Sequence, residues 1–211
     1  PVLIEFLSDA GFKDQEKIIN VLGGIGDPAS LEPLMGLVQT PRIGGWQYRG
    51  QAMAVDQALE SLGQPAVQAM AAKMQDPNPH MWKRVARWLQ RQGWQPETDT
   101  LKARFFVGLD EYRRCEGLGQ PGLAALLAAF NAGIKQTAPN LGRIGDPRAI
   151  GPLVQALDKG RWETRKMIAQ ALIDIHASSQ LSERDKQAIL RQQGAIRARH
   201  SDRTQHTDND C

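Results

Sequence analysis

Three groups of residues in this chain have the types and spacing that chemistry requires. The first is C-terminal: His200 and Asp202, then His206 and Asp208, form two His-x-Asp units that precede Cys211. In an extended segment the two members of each unit face the same side. Two imidazoles, two carboxylates and a thiol are ligands that a divalent transition metal such as zinc accepts. This pentad is the candidate metal site, although its spacing matches no standard zinc motif.

The second group is basic. Lys83, Arg87 and Arg91 recur at every fourth position with Arg84 beside them, and Trp82, Trp88 and Trp94 are interleaved. No acidic residue lies between Asp76 and Glu97. Cations and aromatics arranged in this way grip a phosphate backbone and stack on bases. They equally meet an acidic protein, and if Met81, Val85 and Trp88 form a core face the cations point only to water. The third group is Cys115 among Arg113, Arg114 and Glu116. Neighbouring positive charge moves a thiol towards the reactive thiolate, whereas a half-buried thiol on a surface helix is inert. No Ser or Cys has a recognisable base beside it, so no catalytic residue is assigned.

The elements that must carry these residues read as helices throughout. Gly-Ile-Gly-Asp-Pro occupies 24–28 and Arg-Ile-Gly-Asp-Pro occupies 143–147. Gly26 and Gly145 suit the left-handed position that ends a helix. Asp27 and Asp146 suit the N-cap of the next one, and Pro28 and Pro147 its first turn. Two weaker copies, Gly63-Gln64-Pro65 and Gly119-Gln120-Pro121, keep the Gly and the Pro. Each Pro opens an apolar stripe: Leu31, Leu34, Met35 and Val38; Val67, Met70, Ala71 and Met74; Leu123, Leu126, Leu127 and Phe130; Ile150, Leu153, Val154 and Leu157. All four follow the helical i, i+3, i+4, i+7 pattern. The preceding segments are amphipathic too, through Ile18, Ile19, Leu22 and Ile25, and through Met53, Leu59 and Leu62. No segment reads as a strand.

Helix pairs that repeat in this way cannot bury their apolar faces alone and must stack on their neighbours. The expected fold is therefore all-α, an α/α superhelix of helix pairs over residues 1–193, with a variant unit at about 93–118 and an irregular tail over 194–211. The variant unit holds Gly93-Trp94-Gln95-Pro96, Thr98-Asp99, Phe105, Phe106 and Leu109.

The Leu-Gly-x-Ile-Gly-Asp-Pro-x-Ala signature resembles the HEAT-like repeats first described in phycobilin lyases. Gly93 to Phe130 resembles a variant unit of bacterial and archaeal HEAT-repeat proteins. The resemblance spans roughly residues 13–176 and implies architecture more than activity. Proteins of this class include chromophore lyases, hydroxylases, DNA glycosylases and scaffolds. The hydroxylases hold iron with His-Glu pairs, and this chain has no His-Glu dipeptide.

Composition is that of an ordinary folded chain, with 41% hydrophobic and 23% charged residues. A net charge of +3 and a pI of about 9.0 do not by themselves imply nucleic acid. No apolar run is long enough to span a membrane, and two distant cysteines make no disulfide framework. A cytoplasmic setting is expected.

The leading expectation is a non-catalytic module that binds or scaffolds another protein. The second helices of the pairs carry few titratable groups outside their stripes, chiefly Glu32, Lys73, Arg148 and Asp158. Two alternatives stand beside it. One is a phycobilin lyase-like subunit, with Arg84, Arg87 or Arg143 receiving tetrapyrrole propionates. The other is nucleic-acid binding through Lys83, Arg84, Arg87 and Arg91. A repeat stack without polar caps would also leave exposed ends through which a dimer is possible.

Overall fold

The structure is a computed structural model that describes residues 2–9, 12–39, 49–157 and 160–178. Among the described residues every regular element is a helix. The chain divides into two compact units, Pro1–Asp110 and Glu111–Cys211, and the boundary falls inside the variant stretch at 93–118.

The first unit contains α1 (Val2–Asp9), α2 (Phe12–Ile25), α3 (Leu31–Gln39), α4 (Arg49–Ser61), α5 (Gln64–Lys73), α6 (Pro79–Arg91) and α7 (Asp99–Gly108). The second contains α8 (Gln120–Asn131), α9 (Ala138–Ile144), α10 (Ile150–Leu157) and α11 (Trp162–Ala177), with a 3-10 stretch at Tyr112–Leu118 leading into α8. In each unit helices pack on chain neighbours or next-but-one neighbours: α2 on α4 and α6 on α7 in the first, α9 on α11 and α10 on α11 in the second. That is the stacking of a solenoid-like helical repeat.

The two Gly-Asp-Pro turns have the geometry their residue types dictate. Gly26 (φ 68°) and Gly145 (φ 72°) are left-handed, and their N–H groups donate to the carbonyls of Leu22 and Leu141 at 3.1 and 3.2 Å. These bonds satisfy carbonyls that the ends of α2 and α9 leave open. Asp27 and Asp146 are extended N-caps, and their carboxylates accept from the N–H groups of Ala29 and Arg148 at 2.9 Å. Each proline then opens a short 3-10 turn, Pro28–Ser30 and Pro147–Ala149, ahead of the α-helix.

The weaker copies work differently from the sequence expectation. Gly63 (φ 63°, ψ −135°) and Gly119 (φ 60°, ψ −130°) are themselves the N-caps, with no side-chain cap bond. Without a carboxylate to receive N–H groups the chain uses a backbone shape that glycine alone adopts readily, and the helix begins at the glutamine.

The apolar stripes supply the core. Leu34, Met35, Met70, Met74, Leu123, Leu126, Phe130 and Leu153 are buried, each removal from water stabilising by about 1.5–3 kcal/mol. Two expected core residues are exposed instead, Ile25 at 59% and Met53 at 63%. On the 3.6-residue helical repeat Ile25 falls away from the face formed by Ile19, Leu22 and Gly23. Met53 is one step off the α4 face of Ala54, Val55, Ala58, Leu59 and Leu62.

The Leu-Gly step of the signature has its own role. A Cβ placed on Gly23 would lie 2.7 Å from Ala58 Cα, and one on Gly142 would lie 2.8 Å from Ala171 Cα. In both units, then, a glycine on the first helix lets its backbone touch an alanine on the first helix of the next pair. These contacts pin α2 to α4 and α9 to α11.

Candidate functional site

The basic stripe sits on α6. Asn78 caps the helix by accepting from the His80 N–H at 3.0 Å, and Pro79 occupies its first turn. Met81, Trp82, Val85, Trp88 and Leu89 are buried, which turns the cations outward. Lys83 and Arg87 both meet the carboxylate of Asp110, at 2.5 and 3.4 Å. Arg91 meets Asp56 at 2.5 Å, and Gln92 donates to Glu60 at 3.3 Å. Arg84 is half-buried. Three of the four candidate cations are thus engaged by carboxylates that come from α4 and from the residue two places after α7. Each such exposed pair stabilises by roughly 0–1 kcal/mol, and a phosphate would have to displace a carboxylate to reach the cation.

The interleaved tryptophans are not a stacking platform. Trp82 donates from Nε1 to the Asp76 carbonyl at 2.6 Å, and its ring carries the Arg104 guanidinium at 5.3 Å. Arg104 also donates to the Met74 carbonyl at 3.0 Å, placing a cation at the C-terminus of α5. Trp88 is buried. Trp94 is half-buried and meets Phe105 edge-on, with centroids 5.4 Å apart.

Cys115 lies in the 3-10 stretch Tyr112–Leu118 and is fully buried rather than half-buried, which favours the inert of its two readings. Burial, with Glu116 adding to it and Arg114 opposing, pushes its thiol up to about 12. A neutral, enclosed thiol is no nucleophile at physiological pH. The adjacent Glu116 instead organises the second unit: its Oε1 accepts from Asn140 Nδ2 at 2.9 Å and from Arg143 Nε at 2.7 Å. Arg148 is likewise bonded twice to Asp146, at 2.9 and 2.7 Å. That contact holds the Asp146 carboxyl below its ordinary range.

His200, Asp202, His206, Asp208 and Cys211 lie outside the described residues, as does Asp158. Among the described residues no group of three His, Cys, Asp or Glu side chains is placed to hold a metal.

A further surface in the second unit was not singled out from sequence. An open groove of about 600 Å³ runs between α9 and α11. Gln136 and Pro139 line one side; Glu163, Lys166, Met167 and Gln170 line the other. Ala171, against which Gly142 packs, also lines it. Positions 163, 166, 167 and 170 share one face of α11, next to the buried face of Ile168, Ala171, Leu172 and Ile175. Glu163 and Lys166 are exposed, while Pro139 and Met167 are half-buried. Among the described residues no carboxylate pairs with Lys166 and no cation pairs with Glu163. Gln170 donates from Nε2 to Asp174 at 2.8 Å. Trp162, one helical turn before Lys166, is 68% exposed. Lys135 does not join this surface: its Nζ donates to the Phe130 carbonyl at 2.8 Å and sits 4.0 Å from the Phe130 ring centroid, and burial lowers its pKa.

The family model for the PBS lyase HEAT-like repeat matches residues 137–159, the stretch that contains α9, the second Gly-Asp-Pro turn and α10. No curated protein matches the chain. Among the described residues no helix is long and apolar enough to cross a membrane.

Proposed function

We propose that this chain is a non-catalytic module that binds and positions another protein. One observation carries the reading: the α9/α11 groove combines half-buried Pro139 and Met167 with the carboxamides of Gln136 and Gln170 and with Glu163 and Lys166, which make no ion pair among the described residues. Such side chains recognise a surface by shape, charge and hydrogen bonding. The buried, protonated Cys115 supports the same reading, because an enclosed neutral thiol is a poor nucleophile. The test is affinity capture with the full chain, followed by light scattering on the eluted complex. A discrete protein partner at fixed stoichiometry is the expected result, and the absence of any retained protein contradicts it.

A second reading, a phycobilin lyase-like subunit, is favoured by the repeat matched at 137–159. It requires cations for tetrapyrrole propionates. Of the three named for this, Arg87 is engaged by Asp110 and Arg143 by Glu116. Mixing the protein with free bilin separates the readings, because a red-shifted, intensified absorbance band belongs only to the second. The nucleic-acid reading of Lys83, Arg84, Arg87 and Arg91 predicts binding that falls steeply with salt and is lost on charge reversal of those residues. For the tail, zinc at His200, Asp202, His206, Asp208 and Cys211 predicts stoichiometric metal by mass spectrometry that disappears when the residues after Gly194 are removed.

A further inference from the structure

We infer that Asp110 is a built-in competitor: its carboxylate occupies Lys83 and Arg87 and so holds the basic stripe of α6 closed to the phosphate backbone of a nucleic-acid strand. The inference concerns α6 alone and stands apart from the α9/α11 groove and the protein-binding reading.

The first observation is the residue type at position 110. Among the described residues seven have a left-handed φ, and six of them are glycine: Gly26, Gly63, Gly93, Gly119, Gly133 and Gly145. The seventh is Asp110, at φ 64°. Aspartate bears this conformation better than most residues, but glycine bears it at no steric cost. Two part-exposed ion pairs return an amount of about the same size as that cost. Stability therefore gives little reason to prefer aspartate here. The difference that remains is the charge it lays on α6.

The backbone delivers that charge to a fixed place. A Cβ on Gly108 would lie 2.5 Å from the Trp82 carbonyl oxygen and 2.6 Å from Ala86 Cβ, so the last turn of α7 lies directly on α6. The Asp110 N–H donates to the Val107 carbonyl at 3.2 Å and closes the turn. Oδ1 then meets Lys83 Nζ at 2.5 Å, and Oδ2 meets Arg87 at 3.4 Å. Each oxygen takes one cation, as two oxygens of a single phosphate would.

The stripe selects the anion that is kept out. Lys83, Arg87 and Arg91 advance about 6 Å per step along α6 at 1.5 Å per residue. Such a row suits an anion that repeats its charge along a chain better than a single ion. With Asp110 in place a strand must displace a carboxylate that is tethered beside its cations and needs no encounter to return. Without it, two cations one helical turn apart are open to neighbouring phosphates.

The experiment is fluorescence polarisation of a labelled single-stranded oligonucleotide titrated with the full chain at several salt concentrations. Asp110→Asn and Asp110→Gly should bind about tenfold or more tighter than the native chain, the scale of one competing charged contact removed. The slope of log affinity on log salt should steepen by up to about 1.4, the value for two further phosphates on a single strand. Adding Lys83→Glu and Arg87→Glu to Asp110→Gly should abolish the gain. Glu111→Gln removes the same charge from the next residue, whose carboxylate meets Arg114, and should bind like the native chain. Circular dichroism checks the fold of each variant. An equal gain in Glu111→Gln overturns the competitor, because net charge alone then explains it. Variants at 110 that bind no tighter than the native chain overturn it too, and a lowered urea midpoint in those variants would make Asp110 a tie between α6 and α7. If poly-glutamate displaces the labelled strand as readily as unlabelled DNA does, the phosphate assignment is overturned. The captured partner, which tests the protein-binding reading, is unaffected by any of these results.

Discussion

The pairs α2/α4 and α9/α11 begin from the same residues and end with different surfaces. Both use Leu-Gly-x-Ile-Gly-Asp-Pro, both place a left-handed glycine and an aspartate cap at the turn, and both bring a helix glycine onto an alanine of the next pair. Away from that pin they diverge. On α2, Glu16 reaches across to α4, and its Oε2 would lie 2.9 Å from a Cβ on Gly50. On α9 and α11 the corresponding space is an open groove lined by Gln136, Pro139, Glu163, Lys166 and Met167. The shared motif therefore builds the joint between repeats. What a repeat can recognise is set by residues outside the motif, which is why a repeat match reports architecture before function.

The pinning glycines give the largest expected effect. Gly23→Val and Gly142→Val force a side chain into a contact already closed at Cα, and each should cost about 1–3 kcal/mol by overpacking. Urea unfolding reads this as lowered midpoints in both variants, and a loss in one alone would break the equivalence of the two pairs. Next come the left-handed glycines. Gly26→Ala and Gly145→Ala should each cost roughly 1–2 kcal/mol for the unfavourable conformation. Gly145→Ala should cost more, because its Cβ would also lie 2.5 Å from Ser178 Oγ, whereas nothing stands near Gly26. Thermal melts of the two variants measure that difference.

The caps follow at about 1 kcal/mol each for Asp27→Ala and Asp146→Ala. Asp146 adds a pH signature. The Arg148 side chain bonds to its carboxylate and depresses its folded-state pKa. Its contribution is thus complete above the ordinary carboxylate value of about 3.9 and is lost as pH falls through the lower folded value. The gap in urea midpoint between the native chain and Asp146→Ala should accordingly narrow as pH drops below about 4. Smallest is Arg91→Ala, which removes an exposed pair with Asp56 and should change stability by at most about 1 kcal/mol. A larger loss would make the α6 pairs structural rather than superficial.

The helix ends were legible because a Gly-Asp-Pro turn is decided by adjacent residues: a positive φ, a carboxylate acceptor and a missing N–H. The stripes after each proline were legible for the same local reason. What sequence did not disclose depends on residues far apart in the chain. Gly23 and Gly142 reveal their use only through Ala58 and Ala171. The basic run on α6 gives no sign that Asp110 will receive two of its cations, from a left-handed position (φ 64°) just past α7. At Cys115 the sequence left an activated thiol beside Arg113 and Arg114 open against an inert one, and the burial that decides for the inert thiol depends on residues distant in the chain. Glu163, Lys166, Met167 and Gln170 do form a helical stripe in the sequence, yet it lies beside the more apolar stripe through Ile168 and Leu172, which marks the core. Only the facing Pro139 and Gln136 show that the mixed stripe borders a groove.

Hydrogen–deuterium exchange of the full chain with and without the captured partner protein tests the central claim most directly. The account predicts slowed exchange on both sides of the groove, around Gln136 to Gly142 and around Glu163 to Ala171, with α6 unchanged. Slowed exchange confined to α6, or found only away from α9 and α11, would contradict it.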